Sequence, residues 1–76
     1  MIIGQLYLNQ FDRLEIDGQD LQCGDCLQVL IYDGQDNKTK WVDTRIEHDG
    51  KAYYLVGLLG YNPIGLFGRI DSKPKK

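Results

Sequence analysis

Four turn-forming dipeptides, Asp17-Gly18, Gly24-Asp25, Asp33-Gly34 and Asp49-Gly50, divide the first fifty residues into short pieces. Glycine reaches the positive φ that tight hairpin turns require, and aspartate closes such turns with its own carboxylate. The pieces between and around them carry β-branched or aromatic residues, or alternate apolar with polar. They are 4–8, 13–17, 26–33, 40–48, 51–58 and 66–70. No ten-residue window shows apolar positions at i, i+3, i+4 and i+7 without an interrupting glycine, so no amphipathic helix is expected. The reading is all-β. The tetrapeptide DGQD occurs at 17–20 and again at 33–36, but different residues follow each copy. Two similar hairpin exits explain it better than a repeat architecture, which needs at least three units.

The clearest hairpin is WVDTRIEHDGKAYYLVGL, 41–58. A two-residue Asp49-Gly50 loop pairs His48 with Lys51, Ile46 with Tyr53, Thr44 with Leu55 and Val42 with Gly57. One face is then apolar, and a one-residue slip would invert it. The same register sets Arg45 beside Tyr54 as a cation–π pair.

Five to six short antiparallel strands without a long helix suggest a sheet that closes on itself, since closure removes exposed edges. A small SH3-like barrel is the expected form. An OB-fold is the nearest rival, but it places a helix where 34–39 leaves no room. The expected core is Leu6, Leu8, Leu14, Ile16, Leu27, Val29, Ile31, Val42, Ile46, Tyr53, Leu55 and Ile70.

The order GDCLQVLI, WVDTRIEHDG, YYLVGL and GLFGRI resembles a family of small domains of unknown function found in mobile genetic elements of Gram-positive bacteria. The resemblance covers roughly 12–70 and is most specific in TRIEHDG and YLVGL. It implies an SH3-like fold and an accessory role in a bacterial element, and it carries over no catalytic residue.

The chain has 76 residues, which make one domain over 1–70 and a lysine-rich tail over 71–76. A core of this size supplies only about 3–5 kcal/mol net, leaving little for a costly buried active site. The N-terminal MIIGQLYLNQ turns polar too soon for a signal peptide or a membrane span. The expected compartment is cytoplasmic, where thiols stay reduced. The net charge of −2 combines an acidic body with the basic tail DSKPKK, which is expected to be disordered. An acidic body repels phosphate backbones. Nucleic acid is therefore a less favoured partner than protein; a nucleic-acid-binding barrel would use Lys38, Lys40, Arg45 and the tail.

The segment that looks most like chemistry is LQCGDCLQV. A structural zinc site needs four ligands, and the whole chain has two cysteines and one histidine, His48. A redox CxxC lowers a thiol pKa at a helix N-terminus, whereas CGDC runs into the strand LQVLIYD. The expected structure is a turn at Gly24-Asp25 flanked by Cys23 and Cys26, close enough that a labile disulfide stays open. A nucleophile with a base in reach is also missing, because Ser72 lies in the tail and Thr39 and Thr44 have no histidine near them in sequence. The segment DGQDNKTKWVDT fails as a calcium loop, since Lys38 stands where glycine is needed and Thr44 where glutamate is needed. GLLGYNPIG lacks the Lys-Ser/Thr of a phosphate loop. No enzyme, metal or cofactor is expected.

What remains is AYYLVGLLGYNPIGLFG, 52–68, without a single charge. Tyr53 to Leu58 read as a core strand and the rest as a loop or a single 3₁₀ turn. Tyr61, Ile64 and Phe67 cannot all point into so small a barrel. They either plug its open end or join Trp41 and Tyr54 in a protein-contact patch. A protein-binding module, as a monomer or weak homodimer, is the expected function.

Overall fold

Residues 1–71 are described by a computed structural model, and they form one antiparallel sheet of seven strands. The strands are β1 (Ile2–Leu8), β2 (Leu14–Ile16), β3 (Gln19–Asp20), β4 (Cys26–Asp33), β5 (Lys38–His48), β6 (Tyr53–Leu55) and β7 (Phe67–Ile70). No helix occurs among the described residues. The expected tail lies, beyond Asp71, outside them. The spatial order is β3-β2-β1-β7-β4-β5-β6. The expected five or six strands are thus seven, and the sheet curls into a half-barrel with β3 and β6 at its edges rather than closing.

Turn chemistry explains the joins. Asp17 and Gly18 both have positive φ, 48° and 81°, as a two-residue type I′ turn requires, and Ile16 pairs directly with Gln19. Between β1 and β2, the Asn9 side-chain oxygen accepts from the Phe11 and Arg13 N–H groups at 2.8 and 3.1 Å. Gly24 has φ 93° within a turn closed by the Asp25 N–H donating to the Gln22 carbonyl at 3.0 Å. The Gly24 N–H also donates to the Ile46 carbonyl at 2.8 Å, and the Ile46 N–H to the Asp25 carbonyl at 2.9 Å. Two residues therefore oppose one, the pattern of a glycine bulge that ends the β4–β5 ladder.

One register differs from expectation. Ile46 pairs with Leu55, Glu47 with Tyr54 and His48 with Tyr53, leaving four residues in the loop instead of two. The Asp49 carboxylate accepts from the Lys51 and Ala52 N–H groups at 2.8 and 2.9 Å, and the Gly50 N–H donates to His48 Nδ1 at 3.0 Å. These bonds stabilise the wider loop. The shift is two residues, so the faces are unchanged, but every cross-strand partner is new. Arg45 does not reach Tyr54 as expected; its Nε pairs with Glu47 Oε2 at 2.8 Å. The strand expected over 51–58 shrinks to β6 because Gly57 turns the chain at φ 80°.

The core comprises Leu6, Leu14, Ile16, Leu21, Leu27, Val29, Ile31, Ile46, Leu55 and Ile70. Leu8, expected inside, is 39% exposed at the end of β1, while Val42 and Tyr53 are only partly buried against the core. Leu21 was not expected. Its N–H donates to the Leu14 carbonyl at 2.8 Å, which extends the β2–β3 pairing and turns its side chain inward. Gly68 pairs with both Gly4 and Val29 at the centre of the sheet. A Cβ there would stand 3.3 Å from Leu27 Cδ1, so neighbouring leucines already fill its place. Thr44 is buried, with its hydroxyl donating to the Val56 carbonyl at 2.8 Å.

Candidate functional site

Period-two alternation sends Leu27, Val29 and Ile31 of β4 inward and Cys26, Gln28, Leu30 and Tyr32 outward. The outward set should be polar if it met only water. Leu30 and Tyr32 are not. On β7 and β1 the outward residues Phe67, Ile3 and Tyr7 are exposed by 51%, 56% and 40%. Leu30 pairs with Trp41 on β5, and continuing the β4–β7 register by one residue sets it beside Phe67. An apolar row thus crosses the outer face from Phe67 through Leu30 to Trp41.

Beside it runs a polar row. Ile3 pairs with Arg69, Arg69 with Gln28, and Gln28 with Asp43. Arg69 Nε donates to Gln28 Oε1 at 2.6 Å, and Gln28 Nε2 donates to Asp43 Oδ1 at 2.9 Å. The Arg69 guanidinium carbon lies 4.1 Å from the centroid of the Trp41 ring, a cation–π contact that fixes the indole on the sheet.

The second surface is a groove of about 720 Å³ where the half-barrel opens. Leu8 and Asp12, His48 and 51–54 of the β5–β6 hairpin, and the loop from Leu59 to Ile64 line it. The loop is held to β1: Leu6 N–H donates to the Leu66 carbonyl and Gly65 N–H to the Leu6 carbonyl, both at 2.8 Å. Gln5 Nε2 adds a bond to the Gly65 carbonyl at 3.0 Å. The Tyr53 ring meets His48 edge-on, centroids 4.8 Å apart. Because His48 Nδ1 accepts from the Gly50 N–H, a neutral His48 carries its proton on Nε2. The loop N–H groups of Ala52 and Lys51 hold the Asp49 carboxyl below the ordinary aspartate range.

The five residues singled out from sequence divide between these surfaces. Trp41 and Phe67 belong to the outer face, whereas Tyr54, Tyr61 and Ile64 line the groove. Tyr54 pairs with Glu47, six positions beyond Trp41 on β5, hence about 20 Å away along the strand. Tyr61 and Ile64 are exposed by 42% and 44%, so with Phe67 they do not fill the barrel end. Pro63 is buried, and Leu58 and Leu66 are half-buried against the core. Sequence reasoning missed Ile3, Leu30 and Tyr32. For Leu30 and Tyr32 the signal was present, because VLIY is apolar in both phases of a strand.

The cysteine segment forms a turn, one residue earlier than expected, spanning Gln22 to Asp25. Cys23 and Cys26 are both free and exposed, with the Cys26 thiol 4.0 Å from the Gly24 carbonyl oxygen. Among the described residues, no three of histidine, cysteine, aspartate and glutamate gather at metal-binding distance. No helix among them is long and apolar enough to cross a membrane.

Fold and surfaces define a small antiparallel half-barrel domain that displays aromatic and aliphatic side chains on two sides. The chain belongs to the family described as Domain of unknown function (DUF5348), whose model matches residues 4–70. No curated protein and no solved structure matches it. The family match carries neither an SH3 relationship nor a genetic context.

Proposed function

We propose that this domain is a non-enzymatic protein-binding module that takes an extended segment of a partner protein into the tyrosine-lined groove. The observation that supports it most is the groove itself. Tyr53, Tyr54 and Tyr61 lie there with Leu59 and Ile64, and Asp12, Lys51 and His48 are the other ionisable side chains of the lining. Tyrosine offers a broad apolar ring with a polar tip at low entropic cost, and aromatic grooves suit extended proline-rich peptides. The resemblance extends the reading to an SH3-like module acting in the cytoplasm as an accessory factor of a mobile genetic element. The nucleic-acid alternative is weaker. Among the described residues, Lys40 is engaged with Asp33 at 2.8 Å and Arg45 with Glu47, so both ion pairs would have to open for phosphate contact.

Amide-resolved NMR titration with synthetic proline-rich peptides tests it. Shifts should concentrate at 48–54 and 59–64, and Tyr61→Ala should weaken binding about thirtyfold, as loss of an aromatic anchor does. No shift with any peptide, beside salt-sensitive shifts at Lys38, Lys40 and Arg45 on adding oligothymidine, would transfer the function to nucleic acid.

A further inference from the structure

The groove leaves the outer face of the sheet unused. We propose that this face is a homodimer interface, on which a second copy of the chain packs its own outer face across a two-fold axis near Leu30.

Three observations carry it. The first is symmetry of the apolar row. Leu30 lies between Phe67 on one neighbouring strand and Trp41 on the other, by the registers of β4 with β7 and β5. A two-fold axis lying in the interface above Leu30 and parallel to β4 exchanges those flanks. It places Phe67 of each copy on Trp41 of the other and Leu30 on Leu30, the self-complementarity that a closed dimer requires.

The second is charge. On the outward positions of β4, β5 and β7, Arg45 and Arg69 balance Asp43 and Glu47, so the face is neutral. Its charges are engaged within it: Arg45 with Glu47, and Arg69 through Gln28 with Asp43. A neutral face with satisfied polar groups meets a copy of itself without an unpaired charge being desolvated. The acid excess lies elsewhere, in Asp12, Glu15, Asp17 and Asp20 along the β2–β3 edge. A basic partner would be drawn to that edge instead.

The third is area. Four strands spaced about 4.8 Å apart and about seven residues long present roughly 400–500 Å² of sheet. That is below the roughly 800 Å² per partner of standard stable interfaces. The dimer is accordingly weak and reversible, and populated only at high protein concentration.

Sedimentation equilibrium under reducing conditions, from about 5 to about 500 micromolar, tests the proposal over the range such an area implies. The wild type should move from the 8.7 kDa monomer toward twice that mass as concentration rises. Phe67→Glu should remain monomeric, with association weakened about thirtyfold or more and an unchanged far-ultraviolet spectrum. Ile3→Glu, on the neighbouring strand, repeats the test should Phe67→Glu fail to fold. Tyr61→Ala, in the groove, should dimerise like the wild type. A wild type that stays monomeric throughout overturns the proposal and leaves the face to another protein. So does association that survives both outer-face substitutions but is lost with Tyr61→Ala.

Discussion

The two faces of the central strands are built from the same backbone and differ in one respect, what lies against them. On the inner face, Leu6, Val29, Ile46 and Leu55 are wholly enclosed, and even Gly68 has its space filled by Leu27 and Leu6. On the outer face, Ile3, Phe67 and Tyr32 are comparably apolar but 51–57% exposed. Alternation alone therefore does not say which face is core. In a half-barrel the concave side encloses its own side chains, whereas the convex side splays them apart and leaves them in water. Exposed apolar surface on this scale supports the proposed contact with another surface.

Breaking the comparison begins on the inner face. Ile46→Ala or Leu55→Ala should cost about 2–5 kcal/mol. That equals most or all of what a core this small supplies, and urea denaturation should find either variant largely unfolded. Thr44→Val comes next. It keeps the volume but removes the donor to the Val56 carbonyl, and the urea midpoint should fall by the equivalent of about 1 kcal/mol.

The outer face and groove should behave oppositely. Phe67→Ala and Tyr61→Ala, melted at low concentration, should each stay within about 0.5 kcal/mol of wild type. A loss from Phe67→Ala as large as that from Ile46→Ala would erase the distinction between the faces. Replacing Cys23 and Cys26 together by serine should also change stability little, because both are exposed. Elemental analysis of the untreated protein should find no stoichiometric zinc; about one zinc per chain or per dimer would overturn the reading of CGDC as a turn alone.

The smallest effect concerns pH. Hydrogen bonds from Asn9 and then Tyr7 hold the Glu15 carboxyl below its ordinary value, and the Lys40 ammonium does the same for Asp33. Groups with depressed folded-state pKa values stabilise the fold above the unfolded pKa and lose that contribution as pH falls through the folded one. The urea midpoint should therefore hold at neutral pH and decline from about pH 4.5 downward. Asp49→Ala should flatten that decline, since the Asp49 carboxyl is lowered in the same way by the loop N–H groups it accepts from.

Much of the fold was legible. Asp17-Gly18 specified a two-residue turn because both residues reach positive φ locally, and the strand at 26–33 was read with its observed ends. The β5–β6 register was not legible. Asp49 side-chain bonds and the His48–Gly50 contact favour a four-residue loop over the tighter one. The candidate residues were singled out as either a barrel plug or a contact patch, without being placed. Trp41 and Tyr54 lie on strands that pair, yet their positions along those strands put them on separate surfaces.

By itself the sequence determined the all-β class, the approximate sites of the turns and the alternation along each strand, because backbone sterics and period-two geometry act over a few residues. Tertiary structure decided what those local rules cannot reach. It set β7 between β1 and β4, joining Gly4 to Gly68 across nearly the whole chain, and it left the sheet open rather than closed. It enclosed Leu21 and Pro63 while exposing Leu8. Which strands become neighbours depends on packing between segments far apart in sequence, and only that packing makes one apolar face a core and its equally apolar reverse a surface.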